Sequence, residues 1–332
     1  MRAAYVEEFC DASGIRYGDL PDPPPGPGQV LVRVEAVAVN KVDTLVRSGT
    51  WRTPVIFPLA VGRDLAGTVV VGGAGADDVH PGDRVWANSA GYGGRPGATA
   101  ELVLVERERL YRLPPGADPA GFVATVHPGA TAYGALIGRA RLQPGETVAV
   151  IGGNGAVGMC LIQVAAAHGA HPLAVVRDSR AAPRLRELGA QQVAVAPDAA
   201  TALAAAAAMA PGGVDVVADT TGRAEFSDAP GLMNQRGRIV LLAGTGRRID
   251  LDQWAFYTRE LHLVGFIMSG MTVSELAEAA EWINAQHGIQ RLTVSLAPVM
   301  RFADAARAHS IVESGRLPRL SDHTIGRLTL RP

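Results

Sequence analysis

A glycine-rich turn between an apolar stretch and a helical stretch constrains the fold of this chain more than any other feature. Residues 147–151 read TVAVI, the turn GGNGAVG follows at once at 152–158, and the helical run MCLIQVAAAHG comes next. Gly153, Gly155 and Gly158 form the pattern GxGxxG, and another apolar strand returns within about 30 residues, as a βαβ unit requires. The pattern predicts an α/β fold with a Rossmann-type, doubly wound parallel sheet.

The same turn predicts what the sheet binds. Glycine lets the backbone turn tightly and approach a pyrophosphate group, whose charge then meets free N–H groups at the start of the following helix. That helix is expected to direct an apolar face toward the sheet, formed by Val157, Leu161, Val164, Ala165 and His168. The residues predicted to contact a dinucleotide here are Gly153, Asn154, Gly155, Ala156, Val157 and Gly158.

Further apolar strands follow along the middle of the chain. Strands that are apolar throughout suit a parallel sheet covered by helices on both faces. An alanine-rich tract at 200–210 is predicted to be a helix, because alanine is the best helix former. The predicted strands lie at 172–176, 192–196, 214–219, 237–244 and 261–266.

The two ends of the chain read differently from its middle. Residues 1 to about 120 contain short strands separated by proline and glycine clusters, which predicts a mostly β unit. After about residue 268, a helix is predicted at 274–286, a strand at 292–300, a helix at 302–315 and a strand at 326–332. The strands predicted in the first part lie at 31–39, 66–73, 83–87 and 100–105.

The end of the second strand in such a sheet decides between NADH and NADPH, since an acidic residue there binds the ribose hydroxyls. Here the strand is followed by Arg177, Asp178, Ser179 and Arg180. Two guanidinium groups and a hydroxyl suit the 2′-phosphate of NADPH. NADPH is therefore the predicted cofactor, ahead of NADH, while Asp178 either reaches the ribose or caps the following helix.

Bulk composition excludes several classes of protein. A formal net charge of −1 gives no general attraction to nucleic acid or anionic membranes, so a small-molecule substrate is expected. Cys10 and Cys160 are the only cysteines, which rules out a disulfide framework and favours the cytoplasm. No run of 18 apolar residues occurs and the N-terminus lacks the features of a signal peptide, so neither a membrane span nor export is expected.

Other segments add to the glycine turn when they are taken in order: VNKVDTLVRSG at 39–49, VGRDLAGTV at 61–69, PGDRVW at 81–86, GATAYGAL at 129–136, LQPGETVAVIGGNGAVG at 142–158 and LRELGA at 185–190. Together they resemble the medium-chain dehydrogenase/reductase superfamily, in its zinc-independent quinone oxidoreductase and zeta-crystallin branch. The resemblance covers essentially the whole chain. It implies a GroES-like catalytic domain at 1–120 and 268–332, a Rossmann domain inserted at 121–267, and a homodimer joined near LHLVGF.

The zinc ligands of that superfamily have no matching set here. Zinc-dependent members place a cysteine before the first short helix, a histidine within a GHE segment and a third ligand near the inter-domain helix. This chain has Asn40, Arg63 within GRD, and His127 near the third place. Tetrahedral zinc needs three or four thiolate, imidazole or carboxylate ligands, so neither a catalytic nor a structural metal is expected.

By the same resemblance, Asn40 and Asp43 line the floor of the cleft beside the nicotinamide. From the residues alone, Asn40 is equally a candidate cap of the next helix, and Asp43 a holder of the loop. Relatives carry a tyrosine after the SG of RSG, where this chain has Trp51, whose indole donates but cannot relay a proton. Tyr92 in GYGG is a candidate substitute or a packing residue. The resemblance also assigns nicotinamide-side contacts to Thr131, Gly244 and Phe266.

Without a metal, hydride transfer needs a carbon already made electrophilic by conjugation, and the protein contributes orientation and hydrogen-bond donors. The expected activity is therefore NADPH-dependent reduction of a quinone or another conjugated carbonyl. One alternative is reduction of an enoyl thioester in polyketide or fatty-acyl tailoring. Another is a non-catalytic, crystallin-like NADPH-binding protein. The arginines that either bind a thioester at the cleft mouth or form a solvated face are Arg47, Arg52, Arg63 and Arg95.

Overall fold

The computed structural model describes residues 1–227, 229–244, 248–289 and 291–332. Its strands are, in chain order, β1 (Arg2–Val6), β2 (Arg16–Asp19), β3 (Gln29–Ala38), β4 (Leu59–Ala60), β5 (Asp64–Gly72), β6 (Arg84–Ala87), β7 (Leu102–Glu106), β8 (Tyr111–Arg112), β9 (Thr147–Ile151), β10 (His171–Val176), β11 (Gln192–Val195), β12 (Val214–Asp219), β13 (Met233–Leu241), β14 (His262–Gly265), β15 (Met300–Arg301) and β16 (Thr329–Arg331). Its α-helices are α1 (Lys41–Arg47), α2 (Pro119–Tyr133), α3 (Ala156–Ala167), α4 (Ala182–Glu187), α5 (Ala202–Met209), α6 (Ala229–Leu232), α7 (Gln253–Thr258), α8 (Val273–Gly288) and α9 (Ala305–Ser314). None of the helices in the described ranges is long and apolar enough to cross a bilayer.

The middle of the chain forms the predicted parallel sheet. Its strand order is β11-β10-β9-β12-β13-β14, and every neighbouring pair is parallel. Strand β9 comes first in sequence but lies in the interior of the sheet, so the chain winds outward in both directions and reverses between β9 and β12. The glycine turn follows β9 and therefore lies at this reversal, where open α/β sheets bind their ligands. The doubly wound prediction is confirmed.

Predicted and observed elements agree closely in this sheet. Strands β9 and β12 have the predicted bounds, and the alanine-rich tract forms α5. Strand β13 begins at Met233, earlier than predicted, and ends at Leu241. His168, predicted on the apolar face of α3, is instead exposed, because the helix ends at Ala167 and the next residue only caps it.

The two ends of the chain combine into a second, mostly β unit. Its larger sheet has the order β15-β16-β3-β5-β6-β8, with β7 also paired to β3, and a smaller sheet has the order β2-β1-β4. Strand β16 pairs antiparallel with β3, where Leu330 lies opposite Val37. The parallel sheet is thus inserted into the β unit, as the sequence predicts, although the numbered boundaries at 120 and 268 stay a prediction.

The strand predicted at 292–300 is wrong over most of its length. Only Met300 joins β15, and Leu296 makes an isolated bridge with Arg327. Pro298 has no N–H group to donate to a neighbouring strand, which explains why this apolar run does not continue as one.

Helix α2 joins the two units and packs between them. Asp118 caps the helix by accepting a hydrogen bond from the backbone N–H of Gly121 at 2.8 Å. The helix contacts α3, α8 and β3. One cluster of buried side chains runs from Trp86 of β6 through Phe122 of α2 to Leu161 of α3. This shared core fixes the two sheets against each other and so defines the cleft between them.

Candidate active site

The glycine turn is packed too closely to admit side chains at Gly153 and Gly158. Gly152 has a φ of +81°, and α3 begins at Ala156. A Cβ atom on Gly158 would stand 2.3 Å from the carbonyl oxygen of Gly152, and one on Gly153 would stand 2.9 Å from a side chain of β10. The backbone itself is therefore the surface of this turn, and the free N–H groups of the first turn of α3 open onto it. These residues fit the pyrophosphate of a dinucleotide.

Asn154 connects the glycine turn to the β unit. Its Nδ2 donates to the carbonyl oxygen of His323 at 3.0 Å, while its buried Oδ1 has no donor in the described part of the chain. His323 lies near the tip of a short hairpin over residues 318–326, which backbone hydrogen bonds close; we call this segment the C-terminal hairpin. The hairpin therefore contacts the turn that the sequence predicts to hold the cofactor.

The charged residues after β10 form a cluster around one carboxylate. Asp178 accepts hydrogen bonds from Arg180 Nε at 2.9 Å and Nη2 at 2.7 Å, and from Arg319 Nη1 of the C-terminal hairpin at 2.7 Å. These bonds, above all those from Arg180, hold the pKa of Asp178 far below its usual range. Asp178 also accepts from the backbone N–H of Arg180 and so caps a short turn. Arg177 and Ser179 are exposed beside the cluster.

The three residues assigned to the nicotinamide side lie in different settings. Thr131 on α2 is nearly buried, and its hydroxyl donates to the carbonyl oxygen of His127 at 2.8 Å. Phe266, just after β14, packs against Gly134 at the end of α2, where a Cβ atom would stand 2.6 Å from its ring. Gly244 is exposed after β13, with a φ of +113° that favours glycine. Thr131 and Phe266 thus both lie at the C-terminal end of α2.

A buried network of polar side chains forms the floor of the cleft; we call it the floor network, and its members are Asn40, Asp43, Arg63, Asp64 and Arg327. Asn40 donates from Nδ2 to Asp64 Oδ2 at 2.7 Å and accepts at Oδ1 from Arg327 Nη2 at 2.7 Å. Asp43 accepts at Oδ1 from Arg63 Nε at 3.0 Å. Asn40, Asp43, Arg63 and Asp64 are each less than 5% exposed.

Strand ends bring these residues together. Asn40 follows β3 and precedes α1, Asp64 is the first residue of β5 and pairs with Ala38, and Arg327 lies just before β16. Because β5 and β16 both pair with β3, these ends meet at one edge of the sheet. The Asp43 carboxylate accepts from the backbone N–H of Asn40 at 2.8 Å, which fixes the start of α1.

Asn40 and Asp43 are therefore engaged within the protein. Every polar side-chain atom of Asn40 has a partner in the floor network, which gives it a larger role than either a helix cap or a solitary pocket residue. Their contact with a substrate stays a prediction. Sequence reasoning missed Asp64, Arg327 and also Ser269, whose hydroxyl accepts from Arg63 Nη1 at 2.6 Å. The GRD segment points to Asp64, whereas no local signal identifies the other two.

Burial changes the ionisation of the groups around the floor network. Burial raises the pKa of Asp64 well above its usual value, and the nearby charge of Asp43 adds to the rise. Burial also raises the pKa of Asp43, although the Arg63 charge opposes it. Burial and the charges of Arg63 and Arg327 lower the pKa of His127 well below its usual value. His127 is therefore a neutral imidazole at neutral pH, and its buried Nδ1 has no partner among the described residues.

Trp51 and Tyr92 lie together above this floor. Their rings meet edge to face with centroids 6.5 Å apart. The guanidinium carbon of Arg63 lies 5.9 Å from the centroid of the Tyr92 ring, and that of Arg95 lies at the same distance. A backbone hydrogen bond holds the glycine loop that carries Tyr92: the N–H of Gly94 donates to the carbonyl oxygen of Pro54 at 2.9 Å. The two aromatic residues that the sequence singles out thus share one wall.

The four arginines considered for the cleft mouth differ in their burial and their partners. Arg52 is exposed and Arg95 is half-buried. Arg63 belongs to the floor network. Arg47 is buried and pairs with Glu313 at 2.8 Å, so it belongs neither to the cleft mouth nor to a solvated face. Its Nε also donates to the carbonyl oxygen of Cys10 at 3.1 Å, a contact that the sequence pattern alone does not reveal.

The residues at the zinc positions of the superfamily do not fit that metal. An amide at Asn40 and a guanidinium at Arg63 are not zinc ligands, and His127 alone cannot hold the ion. Across residues 1–227, 229–244, 248–289 and 291–332, no group of three or more His, Cys, Asp or Glu side chains is arranged to hold a metal ion.

Comparison with known proteins agrees with this architecture. Residues 26–115 match the family model described as the alcohol dehydrogenase GroES-like domain, and residues 156–285 match the model described as zinc-binding dehydrogenase. The quinone oxidoreductase of Rattus norvegicus is 30% identical over 327 residues, which cover 96% of this chain and 97% of the relative. A polyketide synthase of Mycobacterium tuberculosis, described as mycocerosic acid synthase-like, is 29% identical over 86% of this chain and 13% of its own length.

A solved structure extends the comparison to three dimensions. The mycobacterial protein Rv1454c complexed with NADPH superposes with a TM-score of 0.83 at 28% identity, and the match covers 100% of both chains. The doubly wound sheet, the GroES-like unit and these relatives together indicate an oxidoreductase that binds a nicotinamide cofactor. The chain belongs to the medium-chain dehydrogenase/reductase superfamily, in its quinone oxidoreductase branch.

Proposed function

We propose that the protein is an NADPH-dependent reductase that transfers hydride to a quinone or another conjugated carbonyl without a metal ion. The observation that carries the proposal is the pairing of a backbone-lined glycine turn with a cationic cluster one strand away. A dinucleotide bound along the carboxyl ends of β9 and β10 would place its pyrophosphate at the first feature and its adenosine at the second.

The charge at the adenosine end supports NADPH over NADH. Arg180 and Arg319 pair with a single carboxylate, Asp178, whose acceptor atoms these two guanidinium groups already occupy, and Arg177 is exposed next to it in the chain. A ribose hydroxyl would have to displace one of them to bind Asp178. A 2′-phosphate instead meets surplus positive charge. The NADPH complex of a relative with the same fold supports this choice.

The bound nicotinamide supplies the hydride, and the protein's own residues position the acceptor. Gly153, Gly155 and Gly158 let the backbone reach the pyrophosphate, and the first turn of α3 directs N–H groups at it. Trp51 can donate one N–H to the acceptor oxygen, and the Tyr92 hydroxyl can donate and pass on a proton. When hydride adds to the conjugated carbon, the carbonyl oxygen gains the negative charge and takes a proton from Tyr92 or water.

A second candidate function is reduction of an enoyl thioester, which uses the same hydride geometry. The similarity to a polyketide synthase segment favours it, and Arg52 and Arg95 lie where an anionic carrier would approach. A candidate of another class is a non-catalytic, crystallin-like NADPH-binding protein, which would share the glycine turn and the cationic cluster but show no turnover.

We also propose a cytoplasmic homodimer joined through the edge of the parallel sheet. Strand β14 is the last strand of that sheet, and Leu263 on it is 44% exposed. An exposed apolar edge strand suits pairing with a second copy. Sedimentation of the purified protein tests this arrangement, with a monomer at micromolar concentration as the contradicting result.

A panel of acceptors tests the proposed function. Purified protein is supplied with NADPH or NADH and with a quinone, an enone or an enoyl thioester, and oxidation of the nicotinamide is recorded. We expect higher kcat/KM with NADPH than with NADH, and turnover of at least one quinone or enone. Turnover of thioesters alone would select the second candidate, whereas binding without any turnover would select the crystallin-like one.

A further inference from the structure

Asp64 is a carboxyl group enclosed by the protein with only part of its hydrogen bonding satisfied. It is 0% exposed, and Oδ2 accepts one hydrogen bond, from Asn40 Nδ2 at 2.7 Å. Its Oδ1 is buried and finds no donor within the described ranges. An ionised carboxylate in such a place would lack the donors that a buried charge requires.

The neighbouring strand presents a second acceptor in the same condition. Leu65 of β5 pairs with Ala87, the last residue of β6, so Asp64 and Asn88 both lie at the same end of this antiparallel pairing, one beside each strand. Asn88 is 1% exposed, and its Oδ1 is also buried without a donor. Two acceptor oxygens cannot bond to each other unless one carries a hydrogen atom. A protonated Asp64 supplies that hydrogen.

The distribution of cations points the same way. Asp43 has an ion pair with Arg63 at 3.0 Å, whereas Asp64 has no guanidinium within ion-pair distance in the part of the chain that the structure describes. Arg63 and Arg327 act on Asp64 only through space, and their positive charges lower its pKa. The negative charge of Asp43 raises it. Of the two carboxyl groups, only Asp43 has the partner that a buried carboxylate needs.

The charges that act on Asp64 come from three parts of the described chain. Asp43 faces it from α1, Arg63 precedes it on the chain, and Arg327 approaches from the segment before β16. His127 on α2 is neutral, and burial raises the pKa of Cys160 on α3 to about 12, so neither adds charge at neutral pH. Burial raises the pKa of Asp64 itself well above its usual value. An apolar, enclosed site can keep a carboxylic acid neutral in this way.

We propose that Asp64 is a neutral carboxylic acid that donates its hydrogen toward Asn88, and that the floor network consequently carries one net positive charge. Two guanidinium groups, Arg63 and Arg327, then face a single carboxylate, Asp43. This fixed charge lies beneath Trp51 and Tyr92, where it stabilises an oxygen that becomes negative during hydride transfer. Asp64 is thus a positioning residue. Its catalytic consequence rests on the proposed function, whereas its protonation does not.

Infrared spectroscopy tests the protonation directly and requires no substrate. We expect the wild-type protein at neutral pH to show the C=O stretch of a protonated carboxyl, and the Asp64→Asn variant to lack it. In Asn88→Ala, which keeps Asp64 and removes its proposed acceptor, the same band is expected to shift. Absence of a protonated carboxyl in the wild type, or a band that neither variant changes, would overturn the proposal.

The pH dependence of stability gives a second test with a defined sign. Between the pKa of an unfolded aspartate, about 4, and its raised pKa in the folded protein, the native state holds a proton that the unfolded state has released. Wild-type stability should therefore fall relative to Asp64→Asn as pH rises. The ratio of the two unfolding constants should change about tenfold per pH unit above about pH 5. A ratio independent of pH, or one that changes in the opposite direction, would contradict a protonated Asp64.

Activity separates this proposal from the proposed function. If the enzyme turns over, kcat/KM should decline at alkaline pH as Asp64 ionises, and Asp64→Asn should lack that decline. If no acceptor is turned over, the infrared and stability results still decide the protonation of Asp64. An alkaline decline that is equal in both proteins would remove the catalytic consequence.

Discussion

The two sides of the cleft are built by different means. On the cofactor side, the pyrophosphate end is one continuous stretch of backbone, residues 152–158, and the adenosine end carries cationic side chains that lie in solvent. The floor network is made from buried side chains that come from three separate places along the sequence, near residues 40, 63 and 327. The cofactor side therefore depends on the absence of side chains, and the floor depends on their mutual pairing.

This difference predicts where the molecule tolerates change. Removing a partner from the floor leaves a buried charge without compensation, which costs stability in the folded protein as a whole. Changing the cofactor side should affect ligand binding more than folding, because its charged groups are hydrated when no ligand is present. Variants on the two sides of the cleft should therefore differ in which property they change.

The largest effect is expected at Asp43. Replacing Asp43 with Asn removes the carboxylate partner of buried Arg63, and we expect a loss of about 3–5 kcal/mol in the free energy of unfolding. Urea denaturation measures the change. The matched control is Asp78→Asn, which breaks the solvent-exposed pair of Asp78 with Arg107 and should cost less than about 1 kcal/mol. Equal losses in the two variants would contradict the account of the floor.

The next effect is expected in the glycine turn. In Gly158→Ala the new Cβ would stand 2.3 Å from the carbonyl oxygen of Gly152, so the backbone must shift away from the pyrophosphate. We expect the Kd for NADPH to rise about a hundredfold, as measured by fluorescence titration. The control is Gly212→Ala, which lies outside the turn and whose Cβ would meet no other atom within 4 Å. Indistinguishable Kd values for the two variants would mean that the backbone does not form the ligand surface.

A smaller effect is expected at the adenosine end. Arg319→Gln removes one cation from the cluster and frees part of Asp178 for a ribose hydroxyl. The ratio of the Kd for NADH to the Kd for NADPH should fall about tenfold, because one charge-assisted hydrogen bond is lost. Arg316→Gln serves as the control, since Arg316 is exposed on the same segment. A ratio that is the same in wild type and Arg319→Gln would remove Arg319 from cofactor selection.

The smallest effect is expected at the aromatic wall. Trp51→Phe and Tyr92→Phe each remove one neutral donor while keeping the ring, so kcat/KM should fall by only a few-fold. Of the two side chains, only Tyr92 can pass on a proton. In Tyr92→Phe protonation by water should become slower and limit kcat more, so this variant should show the larger solvent isotope effect on kcat. The pair of variants is compared with the same acceptor in steady-state assays. An unchanged kcat/KM in both would place the proton donor elsewhere.

The contrast also explains what the sequence could reveal. The glycine turn, the parallel strands and helix α5 are local patterns, and local patterns survive in a single sequence. Arg319 could not be anticipated, because it reaches Asp178 across 141 residues through a hairpin that carries no motif. The bond between Arg327 and Asn40 spans 287 residues and depends on the pairing of β16 with β3. Asp64 stands within a recognised segment, yet its protonation depends on burial that no periodicity shows.

Turnover of metal-depleted protein decides whether hydride transfer here needs a metal ion. The protein is dialysed against a strong chelator, its metal content is measured, and NADPH oxidation is followed with a quinone or enone that the untreated protein reduces. We expect protein with far less than one metal ion per chain to keep its full kcat and KM. Loss of activity on chelation, with recovery when zinc is returned, would contradict this expectation.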